Sequence, residues 1–288
     1  LDNINTQILY TGELPACFDA EVIKSVYGYK FDVKQVDNAA AISEFNGSTI
    51  FISHQDEMNT IDLNPNIDFF IGLYSDLGSI LLVNEERNKN YVSEIQHVRR
   101  RETIAMTPAN SLAALKLLVD TSFVHIDESD VDGDKTSVLN SIATITGSNT
   151  KGLVASSGLS MQYAIMMGLI HDAIENHPGK AIKFIVPTNC YGGTNDQARR
   201  VAACIDNVEV VDLTVDGDHD MVQSIDIVLD QIAKEDAIPY IIAEIPTNPR
   251  VEVPDLIKLK ETLSSVRKTA IGKVAIDPVF ILDQTFCP

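Results

Sequence analysis

Basic residues are scarce in this chain: 22 Lys and Arg stand against 41 Asp and Glu, a formal net charge of -19 over 288 residues. Nucleic acid and anionic membrane surfaces reward clustered cations, so neither is an expected partner. The one basic run, Arg99-Arg100-Arg101, reads as a solvated helix or loop face. Cysteine pairs are missing too. Cys17, Cys190, Cys204 and Cys287 are widely spaced and form no CxxC, which leaves neither a zinc site nor a disulfide framework to expect. No uninterrupted apolar stretch approaches the roughly 18–20 residues that span a bilayer. No basic-then-apolar leader opens the chain, and no internal repeat or low-complexity tract interrupts it. These absences point to a soluble, cytoplasmic protein in a reducing setting. The chain starts at Leu1 rather than Met and stops at Pro288 just after a strand-like run, so it reads as a piece of a longer polypeptide.

What is present is ordinary globular material, 45% hydrophobic and 22% charged, enough for one large domain or a large one with a small companion. Residues 1–105 carry short mixed runs such as Gln7–Tyr10 and Ser48–Ile52 between polar turns, and read as a small α/β unit of unknown role. A break near Thr107-Pro108 precedes a helical run over Ser111–Val119 and opens a large domain, 106–288. From Gly152 onward strands and helices alternate. Strands are predicted at Gly152–Ala155, Ile182–Val186, Val208–Leu213, Tyr240–Ala243 and Phe280–Leu282. Helices are predicted at Met161–Ile174, Asn195–Cys204, Asp220–Lys234 and Leu256–Val266. That alternation implies a three-layer α/β fold around a mostly parallel sheet, covered on both faces.

Ligands of open α/β sheets sit outside the carboxyl ends of the strands. The residues just past those ends are unusual in four places. Ser157-Gly158-Leu159 joins the first strand to its helix; a glycine lets the backbone approach a ligand, and free amides at a helix start attract an anion. Such a turn is also common punctuation, and it lacks the GxGxxG and GK[ST] spacings of nucleotide loops. Tyr191-Gly192-Gly193-Thr194 follows the second strand, where a ring either stacks on a flat ligand or half-buries in a turn. Glu244-Ile245-Pro246-Thr247-Asn248-Pro249 sets a rigid bend after a buried strand, with a carboxylate at a position where desolvation is expensive unless it is partnered. Asp283 ends the last strand; it either meets a cation such as a protonated pyridine nitrogen or caps a turn with Thr285.

The ordered series SSGLS, YGGT, EIPTNP with Asp255 six residues later, and LDQTF resembles the Cys/Met-metabolism family of pyridoxal-phosphate (PLP) enzymes, the cystathionine γ-synthase and γ-lyase family. Its corresponding strings read roughly SSGMA, YGGT, ETPTNP and VDNTF, and the likeness covers about Leu139 to Pro288. The resemblance implies a type I, aminotransferase-like fold and pyridoxal 5'-phosphate as cofactor. It implies that Ser157, Gly158 and Leu159 surround the phosphate and that Tyr191 stacks on the ring. Asn248 would meet the phenolic oxygen and Asp283 the ring nitrogen, with Glu244 and Thr285 in support. The activity implied is transsulfuration: carbon–sulfur bond formation or cleavage on a small amino-acid substrate, by a lyase or transferase of amino-acid biosynthesis. Assembly as a homo-oligomer, dimer or tetramer, is implied as well.

Three departures accompany the likeness. The family's Schiff-base lysine lies about two dozen residues past the Asp of the last motif, which falls beyond Pro288, so no lysine here is nominated. The family's Tyr-Ser-Arg string, whose Arg reaches the neighbouring subunit's phosphate, is replaced by Glu128-Ser129-Asp130. Residues 1–105 resemble nothing in the family's core; long amino-terminal extensions occur in its synthase-like members. The alternative reading is a non-catalytic PLP-fold module in assembly or regulation. The run from Asp127 to Asp134 lacks the terminal Glu of an EF-hand and reads as a solvated acidic loop. No histidine pair has metal spacing; His125, His171, His177 and His219 read as structural or exposed. No metal is expected.

Overall fold

The computed structural model describes residues 5–15, 18–54, 64–74, 77–101, 106–119, 130–215, 220–248 and 251–287. The chain divides into two compact units, Leu1–Lys135 and Thr136–Pro288.

In the first unit, β1 (Thr6–Tyr10), β2 (Phe31–Gln35), β3 (Ser48–His54), β4 (Phe69–Tyr74) and β5 (Gly78–Val83) form a five-stranded sheet in the order β2-β1-β3-β4-β5. The first four are mutually parallel and β5 runs antiparallel at the edge. Helix α1 (Ala20–Tyr27) connects β1 to β2, capped at its start by the Asp19 carboxylate and at its end by Gly28 at φ 66. Helices α2 (Glu85–Arg101) and α3 (Pro108–Val119) follow. Leu9, Phe51 and Phe70 pack into one core cluster and Ile8, Phe31 and Ile52 into another, the in–out alternation of strands buried on both sides. One buried carboxylate, Asp68, accepts from the Thr49 backbone N–H at 2.8 Å and the Asn88 side chain at 2.9 Å. Arg99 and Arg100 are exposed on α2.

The second unit holds α5 (Gly158–Asn176), β6 (Ile182–Pro187), α6 (Gly192–Cys204), β7 (Val208–Leu213), α7 (Met221–Lys234), β8 (Ile238–Glu244), α8 (Leu256–Leu263) and β9 (Val279–Asp283). Its four strands are all parallel, in the order β7-β6-β8-β9. Every residue of β6 and β8 is buried, which explains their near-continuous apolar runs. Helix α7 starts at Asp220, whose carboxylate accepts from Val222 and Gln223 N–H. Its residues Val222, Ile225, Leu229 and Ile232 recur at helical spacing and pack with Ile185, Ile241 and Leu259 in one core cluster. Tyr240 stacks at 5.4 Å on Phe184, and its hydroxyl donates to the Leu169 carbonyl of α5 at 3.1 Å. Helices therefore serve both faces of the sheet, an arrangement compatible with three layers. No described helix is long and apolar enough to cross a membrane.

Two expectations are corrected. Gly152–Ala155 is not a strand: the segment is irregular, and Leu153 is 72% exposed. A short apolar run becomes a strand only where a ladder partner is offered, and no described strand pairs with it. The acidic run is not wholly a loop, because α4 (Val131–Thr146) begins within it. Asp130 accepts from the Gly133 N–H at 2.9 Å and so caps that helix. Asp127, Glu128, Ser129, His125 and His219 lie outside the described residues.

Candidate functional site

Parallel strands bring their carboxyl ends to one rim, and the order β7-β6-β8-β9 places a switch point between β6 and β8. From β6 the chain crosses to β7 on one side; β8 and β9 then build outward on the other. A crevice opens at such a point. The residues that close β6 and β8 are Asn189-Cys190-Tyr191 and Glu244.

Across that switch point the Tyr191 backbone N–H donates to Glu244 Oε2 at 3.1 Å. Glu244 is 5% exposed and is the register partner of Asp283 on β9. Burial pushes the Glu244 carboxyl above its ordinary range and the Asp283 charge adds to this, while the N–H groups of Tyr191 and Asn248 pull it back. Neither Glu244 nor Asp283 forms an ion pair with a Lys or Arg among the described residues. Asp283 Oδ1 accepts from the Thr285 N–H at 3.0 Å and from its hydroxyl at 2.6 Å. The turn cap foreseen as the simpler alternative for Asp283 is thus present, and it occupies one oxygen of the two.

Tyr191 stands immediately before α6, so Gly192 and Gly193 are the first residues of the helix and not a free turn. Its ring lies back over Gly193, where a Cβ would come within 2.4 Å of Tyr191 Cε1, and the residue is 47% exposed. Only glycine allows that ring position. Ser157 caps α5 by accepting from Ser160 N–H at 3.1 Å, and the Ser156 and Ser160 hydroxyls are 3.0 Å apart. The N–H groups of Gly158 and Leu159, in the first turn, have no intrahelical acceptor, and a Cβ at Gly158 would meet nothing within 4 Å. The start of α5 is tied to α6 twice: Gln197 donates to the Leu159 carbonyl at 3.0 Å, and the Thr194 hydroxyl donates to Gln162 Oε1 at 3.1 Å. A chain of contacts thus runs from Leu159 through α6 and Tyr191 to Glu244, Asp283 and Thr285.

Asn248 follows the bend after β8 and reaches this set through its backbone N–H to Glu244. The bend contains a cis Ile245–Pro246 peptide and is held by Glu252 N–H donating to Thr247 Oγ1 at 3.0 Å. Pro249 lies outside the described residues.

Sequence reasoning passed over two neighbours. Burial pushes the Cys190 thiol up to about 11, and the Glu244 charge adds to the rise, so it stays protonated at neutral pH and is no nucleophile. Asn189 has both side-chain polar atoms buried without a hydrogen-bond partner. A motif search does not register an Asn two residues before YGGT; the signal is its burial, which only coordinates reveal. Lys183, also on β6, sits at the opposite end of the strand, bound to Glu209 at 2.6 Å and Glu235 at 3.3 Å. Burial lowers its ammonium pKa, and the two carboxylates outweigh that and raise it. No group of three or more His, Cys, Asp or Glu among the described residues is placed to hold a metal ion.

The geometry defines a rim site with an open helix start, an exposed aromatic ring and an adjacent pair of carboxylates that no Lys or Arg among the described residues pairs with. Comparison with protein-family models, with curated proteins and with solved structures finds no match for the chain.

Proposed function

We propose that the second unit is the cofactor-binding part of a PLP-dependent enzyme with the type I fold, acting in transsulfuration on small amino acids. The observation that carries this reading is the joining of Tyr191, Glu244 and Asp283 at the β6–β8 switch point. Two adjacent carboxylates without a cation among the described residues are unfavourable as they stand, and a protonated ring nitrogen supplies the missing charge. The residues present therefore fit the group.

In this reading the open N–H groups of Gly158 and Leu159 bind the phosphate, with Ser157 fixing the helix start behind them. The Tyr191 ring covers one face of the pyridine. The oxygen of Asp283 that Thr285 does not use holds a proton at the ring nitrogen, and Glu244 anchors the Tyr191 backbone while adding to the negative potential. Asn248 meets the phenolic oxygen. When bound, the cofactor supplies an electron sink for charge developing beside the amino nitrogen of the substrate. A homo-oligomer belongs to this reading, and sedimentation of the chain measures it directly.

The test is uptake of PLP by the full chain, followed by the absorbance of the bound cofactor and by equilibrium dialysis. Saturable, stoichiometric binding is expected, and Asp283→Asn, which removes the counter-charge, is expected to weaken it about tenfold or more. A wild-type chain that takes up no PLP ends this reading.

A further inference from the structure

We propose that Asn189 is a further binding residue of this site, one that engages the ammonium and carboxylate of a small α-amino acid through a shift of the Thr188–Cys190 segment. The inference rests on the cofactor reading above and adds to it the residue that recognises the substrate.

Asn189 lies in the connection from β6 to α6, at the switch point and two residues before Tyr191. Its Nδ2 and Oδ1 are both shielded from solvent, and neither has a partner. A buried amide with nothing to bond is costly, and any apolar side chain of similar shape would relieve the cost. A polar group kept at such a position needs a reason, and at a ligand crevice the reason is a ligand.

The chemistry of the amide narrows the choice. Oδ1 only accepts and Nδ2 only donates. A bare anion would satisfy Nδ2 and leave Oδ1 orphaned; a bare cation would do the reverse. An α-amino acid carries a donor ammonium and an acceptor carboxylate on one carbon, so it answers both.

Because both atoms are hidden, engagement requires the segment to move. The backbone there is held by Thr188 N–H to the Leu213 carbonyl at 3.0 Å and Cys190 N–H to the Pro187 carbonyl at 3.2 Å. The Asn189 side chain itself gives up no hydrogen bond when it turns outward. The unmet bonding of this side chain therefore favours an arrangement in which a ligand meets it.

The experiment compares wild type with Asn189→Leu in the full chain, using two probes: PLP alone, and the stable reduced adduct N-(5'-phosphopyridoxyl)-L-2-aminobutyrate, which adds an amino-acid amine and carboxylate. Without ligand, Asn189→Leu is expected to raise Tm by about 2–5 °C. It should bind PLP within about twofold of wild type and the adduct roughly tenfold more weakly, the worth of one lost pair of polar contacts. Asn189→Asp, nearly isosteric and a pure acceptor, is expected to fold and to lose adduct affinity to a similar degree through repulsion of the carboxylate. Equal adduct affinity in wild type and both variants overturns the inference while PLP uptake leaves the cofactor reading standing. Failure of the wild type to take up PLP at all overturns both.

Discussion

Tyr191 and Glu244, 53 residues apart in the chain, are joined by one hydrogen bond from a backbone N–H to a buried carboxylate, 3.1 Å long. It crosses the gap between the ends of two parallel strands and so fixes the start of α6 relative to β8. Glu244 also stands beside Asp283 in register. The same carboxylate therefore positions the backbone of an aromatic residue and stands beside a second carboxylate, with no ion pair to a Lys or Arg among the described residues. A neutral amide in its place would keep one acceptor oxygen and remove the repulsion.

Glu244→Gln tests that trade. The amide oxygen still accepts from Tyr191, and the repulsion with Asp283 disappears. A carboxyl whose folded-state pKa is raised stabilises the fold fully below its unfolded value and loses that contribution as pH rises through the folded value. The wild type should therefore lose stability from the ordinary glutamate value of 4.5 upward. Glu244→Gln lacks this contribution, so its stability should fall less than that of the wild type over that window. Urea denaturation at a series of pH values measures both, and an equal or larger fall in the variant refutes the account.

Gly193→Ala probes the ring. The new methyl would sit 2.4 Å from Tyr191 Cε1, far inside contact distance, and the exposed ring is the part free to move. Alanine is also the better helix former, by about 1 kcal/mol. Stability should thus be unchanged or slightly higher, while PLP affinity falls several-fold because the ring is displaced. Unchanged affinity in dialysis would show that the position of Tyr191 is immaterial to binding.

Much of this was legible in the residues. β6 and β8 were found because buried parallel strands are apolar throughout, and α7 because Asp220 caps a run with Val222, Ile225, Leu229 and Ile232 on one face. Gly152–Ala155 failed because four apolar residues make a strand only when a neighbour offers a ladder, which no local pattern encodes. The start of α4 was missed because a dense acidic run looks like a solvated loop, although Asp130 is a good helix cap. The motif residues after the strands were visible. Their joining was not, because the Tyr191–Glu244 bond depends on strand order and Asn189 is singled out only by burial without partners.

In the first unit, Asp68→Ala should be strongly destabilising. It strips the buried Thr49 N–H of its acceptor and takes one of two acceptors from the Asn88 amide, which keeps the Asn84 carbonyl at 3.3 Å. Losing a charged acceptor and leaving a buried donor unmet costs about 2–4 kcal/mol. Asp68→Asn, which keeps an acceptor oxygen, should recover roughly half of that. Equal unfolding midpoints for the alanine variant and the wild type would show that the network contributes nothing.

Gln197→Ala addresses the tie between α5 and α6. Gln197 is fully buried and donates to the Leu159 carbonyl at 3.0 Å, so the change removes a hydrogen bond and opens a small cavity together. A global loss of about 2–3 kcal/mol follows from those two effects. The more telling result is local. With the Leu159 carbonyl released, the first turn of α5 is held less firmly against α6, while the Thr194–Gln162 bond remains. Amide hydrogen exchange at Ser160 and Met161 should then accelerate more than at Ile170, which is buried near the middle of the same helix. PLP affinity should fall with it, because the open N–H groups of Gly158 and Leu159 bind an anion well only while the helix start is held still. Uniform acceleration along α5 would mean that Gln197 supports the fold in general and not the helix start in particular.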